Sequence, residues 1–166
     1  DGCQFEIALA PLKSDHPHPH GGEAVEFLIS TNPGAPPRAL GKIASGGELS
    51  RISLAIGVVT ANTATVPSMV FDEVDVGIGG AVAEVVGKLL HTLAERTQVL
   101  CVTHLPQVAA QGHHHFQVSK AVAGDSTHSA VRPLDEKARV EELAGMLGGV
   151  EITREVRANA RQMLGR

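Results

Sequence analysis

The chain has 166 residues, 43% of them hydrophobic, with 14 basic and 18 acidic side chains for a net charge of −4. This is enough apolar sequence for a packed core, which excludes a disordered tail, and the slight acidity excludes a whole-domain electrostatic clamp on nucleic acid while leaving room for a local patch. Phe5, Phe27, Phe71 and Phe116 are the only Phe, Trp or Tyr residues, so an aromatic base-stacking platform for single strands is all but ruled out.

Residues 4–12 carry Phe5, Ile7 and Leu9 in alternation, the period of a half-buried strand. Residues 13–22 read as a loop in which His16, His18 and His20 alternate with prolines. Residues 23–30 alternate again through Val25, Phe27 and Ile29, so the two strands predict a hairpin. Asn32-Pro33-Gly34 and Pro36-Pro37 then break the chain. Residues 48–62 are apolar on nearly every side, with Leu49, Ile52, Leu54, Ala55, Ile56, Val58 and Val59. That pattern predicts a helix buried between other elements.

Residues 68–71 read as a short apolar strand. In residues 79–95, Val82, Val85, Val86, Leu89, Leu90 and Leu93 make one helical stripe, opposite Glu84, Lys88, His91 and Glu95. Residues 98–102 form a second strand, apolar enough to be covered on both faces. Strand, helix and strand at this spacing predict a parallel β-α-β unit. A helical turn over 106–111 follows, then strands over 114–122 and 128–134. Asp135 can N-cap a helix with Val140, Leu143, Ala144 and Leu147 on one face and Gly148-Gly149 at its end. A last helix is expected over 152–164. The fold class is α/β: a parallel β-α-β core with a β-hairpin start and C-terminal helices.

Cys3 and Cys101 are the only cysteines, too few for a disulfide framework or a cysteine zinc site, which fits a cytosolic protein. No apolar run approaches a membrane span and no signal peptide is visible, so no membrane partner is expected. The start at Asp1-Gly2-Cys3, without methionine, suggests a piece cut from a longer protein.

Three clusters carry candidate chemistry. Ser45-Gly46-Gly47-Glu48 stands at the entrance of the first helix, where free N–H groups, small residues and a hydroxyl suit a phosphate, or where the serine or glutamate simply caps the helix. Met69-Val70-Phe71-Asp72-Glu73 is an apolar strand ending in two carboxylates. One can serve Mg²⁺ and the other orient or deprotonate an attacking water. The apolar, glycine-rich run Val74-Asp75-Val76-Gly77-Ile78-Gly79-Gly80 that follows is unusual for a bland surface turn. In Val102-Thr103-His104-Leu105-Pro106, His104 ends the next strand. If the two strands are neighbours, His104 and Glu73 reach the same sheet edge.

In this order and spacing the clusters resemble the C-terminal lobe of an ABC-type ATPase head of the SMC-like branch, with the RecN family of DNA double-strand-break repair ATPases as the nearest likeness. Residues 44–51, Ala-Ser-Gly-Gly-Glu-Leu-Ser-Arg, are similar to the ABC signature motif. Val70-Phe71-Asp72-Glu73 resembles Walker B, residues 74–80 take the D-loop position, and Thr103-His104 takes that of the switch histidine. The runs Phe-Asp-Glu-Val-Asp-Val-Gly-Ile-Gly-Gly and Thr-His-Leu-Pro-Gln-Val-Ala-Ala, and Glu26-Phe27 through Asn32-Pro33-Gly34, carry the RecN likeness. The resemblance covers most of the chain and is weakest in the loop at 16–20.

The resemblance implies that Asp72 serves the Mg²⁺ shell, that Glu73 polarises the hydrolytic water and that His104 contacts the γ-phosphate. Ser45, Gly46, Gly47 and Glu48 would form the signature that binds nucleotide in trans, with Ser45 and Gly47 on the γ-phosphate of ATP held by a second head, and Asp75 would lie in the loop joining the two composite sites. It implies residues 1–166 as one lobe of a split head, with ATP and Mg²⁺ as cofactors. Its partners would be an N-terminal P-loop lobe, a second head in an ATP-dependent homodimer, and DNA through the whole protein, in the cytoplasm at the nucleoid. A P-loop is missing here: Gly41-Lys42 has Pro36 five residues before Gly41 and Ile43 after the lysine, and Gly87-Lys88 lies inside a helix. The chain alone is therefore expected not to turn over ATP. The competing readings are another SMC-family chromosome-organising ATPase, an ABC transporter subunit, and a non-catalytic dimerisation module.

Other residues carry weaker expectations. His16, His18 and His20, and His113, His114 and His115, have metal-binding side chains but no completing carboxylate or cysteine. Arg154, Arg157 and Arg161 make a helical stripe that reads as a solvated face. Arg51 either pairs with a carboxylate or senses nucleotide, and Glu48 either caps its helix or sets the signature loop. Cys101 reads as a buried small hydrophobe.

Overall fold

Alternation puts Phe5, Ile7, Leu9, Val25, Phe27 and Ile29 on one face of an antiparallel hairpin, in which β1 (Gln4–Pro11) pairs with β2 (Glu23–Ser30). Phe5 lies opposite Ile29, Ile7 opposite Phe27 and Leu9 opposite Val25, and the Phe5 and Phe27 rings stack at 5.9 Å. In this computed structural model, residues 3–12, 19, 21–31, 34–42, 45–61, 66–123, 126–148 and 151–165 are described. The histidines at 16, 18 and 20, the Asn32-Pro33 break, Ala44 and Gly149 lie outside the described residues. A short β3 (Arg38–Ala39) adds to β2, and a 3₁₀ turn (Leu40–Lys42) follows it.

The chain divides into two compact units, Asp1–Leu49 and Ser50–Arg166. The first holds the three-stranded sheet and the start of α1 (Gly46–Thr60). The second holds the remaining elements. There β4 (Ser68–Phe71), α2 (Gly80–Ala94) and β5 (Gln98–Cys101) form the expected parallel unit, with Ser68 opposite Gln98 and Phe71 opposite Cys101. Leu54, Phe71, Val74, Ala83, Val86, Leu90, Leu93 and Val108 make its core.

Three expectations about burial need correction. Helix α1 is not buried all round: Leu54 is 1% exposed, but Ile56 and Val59 are 48% and 81% exposed. Only one side of it meets the core, so its other apolar residues face outward. Strand β5 is covered on one face only, because Val99 and Cys101 pack on the core while Leu100 and Val102 remain 47% and 61% exposed. The buried face of α2 is turned toward Ala83, Val86, Gly87, Leu90 and Leu93, leaving Val82 and Val85 exposed. The cause is a close crossing with α3 (Pro106–Ala109): a Cβ at Gly87 would stand 2.8 Å from Gln111 Cγ and 3.1 Å from the Gln107 carbonyl oxygen. His91, expected on the solvated face, donates from Nδ1 to the Gln111 carbonyl at 2.7 Å and stacks on His113.

The hairpin β6 (Phe116–Ala123) and β7 (Ser126–Pro133) follows α3. Helices α4 (Glu136–Gly148) and α5 (Arg154–Met163) pack around Ala109, Val140, Leu143, Ala144 and Ala160. Asp135 caps α4 as expected, its Oδ1 accepting from the Ala138 N–H at 2.8 Å. Thr153 caps α5 and sets its start two residues later than the periodicity suggests. The arginine stripe is not simply solvated, since Arg157 pairs with Glu141 at 2.9 Å and donates to the Ile152 carbonyl. No helix among the described residues is long and apolar enough to cross a membrane.

Candidate active site

Parallel pairing of β4 and β5 brings their C-terminal ends side by side, so the Asp72–Glu73 pair and the Thr103–His104 pair emerge at one edge. The ladder continues one step past the strands, where the Val102 N–H donates to the Phe71 carbonyl at 2.9 Å. Beyond it the chain turns sharply. Glu73 has φ of 58°, the only non-glycine residue in the left-handed region among the described residues. Such a conformation costs an L-residue about 1–2 kcal/mol and persists where surrounding contacts impose it. Here the Glu73 N–H donates to Asp72 Oδ1 at 2.9 Å, and the Val76 N–H donates back to the Glu73 carbonyl at 3.1 Å. Asp72 and Glu73 are both exposed.

Two residues of α1 secure this turn. The Ser50 hydroxyl donates to the Asp72 carbonyl at 2.5 Å. Arg51 Nη1 donates to the Val74 and Val76 carbonyls at 3.3 and 2.9 Å. Arg51 Nη1 thus meets backbone carbonyls of the loop after β4. Val74 is fully buried in the core, and Asp75 is 2% exposed. Asp75 Oδ2 accepts from the Thr103 hydroxyl at 2.5 Å and from the His104 backbone N–H at 3.2 Å, and lies 3.5 Å from His104 Nδ1. The His104 side chain is otherwise 73% exposed. The histidine thus reaches the edge foreseen for it, with Asp75 as its direct partner.

The cluster at the start of α1 belongs to the first unit. Ser45 caps the helix, its hydroxyl oxygen accepting from the Glu48 N–H at 3.4 Å. Glu48 does not cap: its carboxylate accepts from the Thr31 hydroxyl at 3.3 Å and ties the helix start to the end of β2. Gly46 is exposed and Gly47 is buried.

The strand ends carry a negative field that a neighbouring group registers. The Cys101 thiol is pushed up to about 12, first by burial and then by the charges of Asp75 and Asp72. A divalent cation would neutralise that field, and an exposed carboxylate oxygen is a suitable hard ligand for Mg²⁺. No cluster of three or more His, Cys, Asp or Glu able to cage a metal occurs among the described residues, His113–His115 included. Sequence reasoning gave no role to Ser50 or Thr103. Their contacts span 22 and 28 residues and leave no local pattern.

No protein-family model matches the chain. It is 60% identical over 163 residues to the DNA repair protein RecN of Xylella fastidiosa, a match covering 98% of this chain and 29% of that relative. The RecN proteins of Vibrio cholerae and Bacillus subtilis are 54% and 42% identical, over 98% and 93% of this chain and 29% and 27% of theirs. The chain therefore spans under a third of the length of these relatives. Among solved structures it resembles the Smc head domain with a coiled coil and joint from Pyrococcus yayanosii, with a TM-score of 0.60 and 21% identity over 86% of this chain and 25% of that one. The Smc head domain from Pyrococcus furiosus bound to the C-terminal domain of ScpA gives 0.55 at 20% identity, over 85% and 33% of the two chains. An SMC ATPase studied for ATP-driven dimerization gives 0.52 at 20%, over 86% and 80%. Over nearly its whole length the chain is similar to RecN proteins, and it has the α/β fold of an SMC head domain.

Proposed function

We propose that residues 1–166 are the C-terminal lobe of a split ABC-type ATPase head in a RecN-like protein that acts in DNA double-strand-break repair and recombination, in the cytoplasm at the nucleoid. The observation that carries this reading is the shared edge of β4 and β5, where Asp72, Glu73 and His104 stand together on a turn held by Ser50, Arg51 and Thr103. Glu73 orients and polarises the attacking water, and its left-handed backbone sets where the carboxylate emerges. Asp72 would hold Mg²⁺, directly or through water, and the ion would supply positive charge to the phosphate oxygens. His104 contacts the γ-phosphate.

Ser45, Gly46 and Gly47 act on ATP held by a second head, through a hydroxyl and the free N–H groups at the start of α1. The P-loop comes from an N-terminal lobe of the same protein, so this chain alone does not hydrolyse ATP. DNA is engaged by the whole protein. The alternative of another SMC-family chromosome-organising ATPase has weaker support, since identity to the SMC heads is 20–21% against 60% to a RecN protein.

The composite site is tested by complementation in the full-length protein. Ser45→Arg and Glu73→Gln variants should each lose ATP turnover. Mixed, they should regain up to about a quarter of wild-type activity, because half the dimers are mixed and each mixed dimer carries one intact site. A mixture of exchanging subunits that stays as inactive as its parents would contradict a site shared between two heads.

A further inference from the structure

Asp75 is a carboxylate at 2% exposure inside an apolar loop. Burying such a group is costly unless donors meet it. Two firm donors do, both from the switch segment and both on the same oxygen: the Thr103 hydroxyl and the His104 backbone N–H. The Thr103 hydroxyl oxygen in turn accepts from the Leu105 N–H at 3.0 Å, which closes a small turn around His104. On the other side, Arg51 holds the carbonyls of Val74 and Val76, the residues flanking Asp75. The loop is pinned on both sides, so Asp75 cannot swing away without breaking contacts at either end.

We propose that Asp75 is a positioning residue for His104, acting within its own lobe. It fixes the backbone of residues 103–105, and so the place from which the largely exposed imidazole leaves the sheet edge. It also sets a negative charge 3.5 Å from Nδ1. This role rests on the reading of His104 as the γ-phosphate contact, and it is distinct from a bridge between two heads, for which the side chain is too buried.

The test uses Asp75→Leu, Asp75→Asn and His104→Ala, with ATP turnover and amide hydrogen exchange both measured on the full-length protein. Asp75→Leu should lower kcat about 10–100-fold, the range seen when an orienting partner is removed, with ATP affinity nearly unchanged. Asp75→Asn, which keeps an oxygen for Thr103 and the His104 N–H, should recover most of that loss. Combined with His104→Ala, Asp75→Leu should add no further loss. The His104 amide should lose exchange protection in Asp75→Leu and keep it in Asp75→Asn. If Asp75→Leu does not fold, Thr103→Val removes one donor from the same oxygen and should shift kcat in the same direction by less. Additive losses with His104→Ala, or an unchanged kcat in both Asp75→Leu and Thr103→Val, would overturn the proposal. A wild-type protein without Glu73-dependent turnover, but with the predicted exchange pattern, would sink the functional reading and the phosphate role while leaving the Asp75–His104 contact standing.

Discussion

The parallel pair β4–β5 and the antiparallel hairpin β6–β7 end up in opposite situations. In the first, Phe71 is 5% exposed, and the loop that follows is anchored by Val74 at 0%. In the second, Phe116, Val118 and Val131 are 53%, 64% and 65% exposed, and the polar face carries the inward contacts. There Gln117 donates to Glu142 of α4 and accepts from Arg132 at 2.7 Å. Both pairs are readable as strands in the sequence, but that reading does not say which face is covered. The pinned loop after β4 forms where helices pack on the strand end.

The largest contrast should come from core truncation. Leu93→Ala, at a residue 1% exposed beside β4 and β5, should cost about 2–5 kcal/mol of stability. Val118→Ser on the open face should stay within about 0.5 kcal/mol. Denaturant midpoints of the two variants measure the difference, and equal losses would mean that something covers the hairpin. Next comes thiol chemistry. Cys3 is exposed, whereas the Cys101 thiol is pushed up to about 12 beside the acidic strand ends. Iodoacetamide at neutral pH should therefore label Cys101 at least about 100-fold more slowly than Cys3. Similar rates would show the β5 end to be open.

The smallest effect concerns the boundary of the hairpin. His115, just before β6, is half-buried and held below the ordinary value of 6.5 by burial and by Arg139, with Glu142 opposing weakly. A lowered folded value means that the unfolded chain binds the proton more readily. Stability is then full above 6.5, falls as pH drops through that value, and stops falling below the lowered folded one. His115→Gln should flatten that part of the profile of unfolding midpoint against pH.

Local signals made much of this structure readable in advance. The strand at 68–71 and the partner at 98–101 follow from short apolar runs, and their parallel pairing follows from the helix between them. The cap at Asp135 follows from side-chain chemistry. The exposure of Ile56 and Val59 was not readable, because an all-round apolar helix says only that it can be buried, not that partners are present. The left-handed turn at Glu73 was also hidden, since glutamate carries no preference for it. Arg51 on the Val74 and Val76 carbonyls, and Asp75 beneath Thr103 and His104, join residues more than 20 positions apart and depend on the assembled sheet.

The central claim is that Glu73 at the end of β4 activates water for hydrolysis of ATP. The direct measurement is ATP binding and turnover by the full-length protein carrying Glu73→Gln. The account predicts that nucleotide is still bound with near wild-type affinity while kcat falls by about 10²–10⁴-fold, the share contributed by a positioned acid–base group. Loss of ATP binding with an unchanged rate per bound nucleotide, or wild-type turnover, would contradict it.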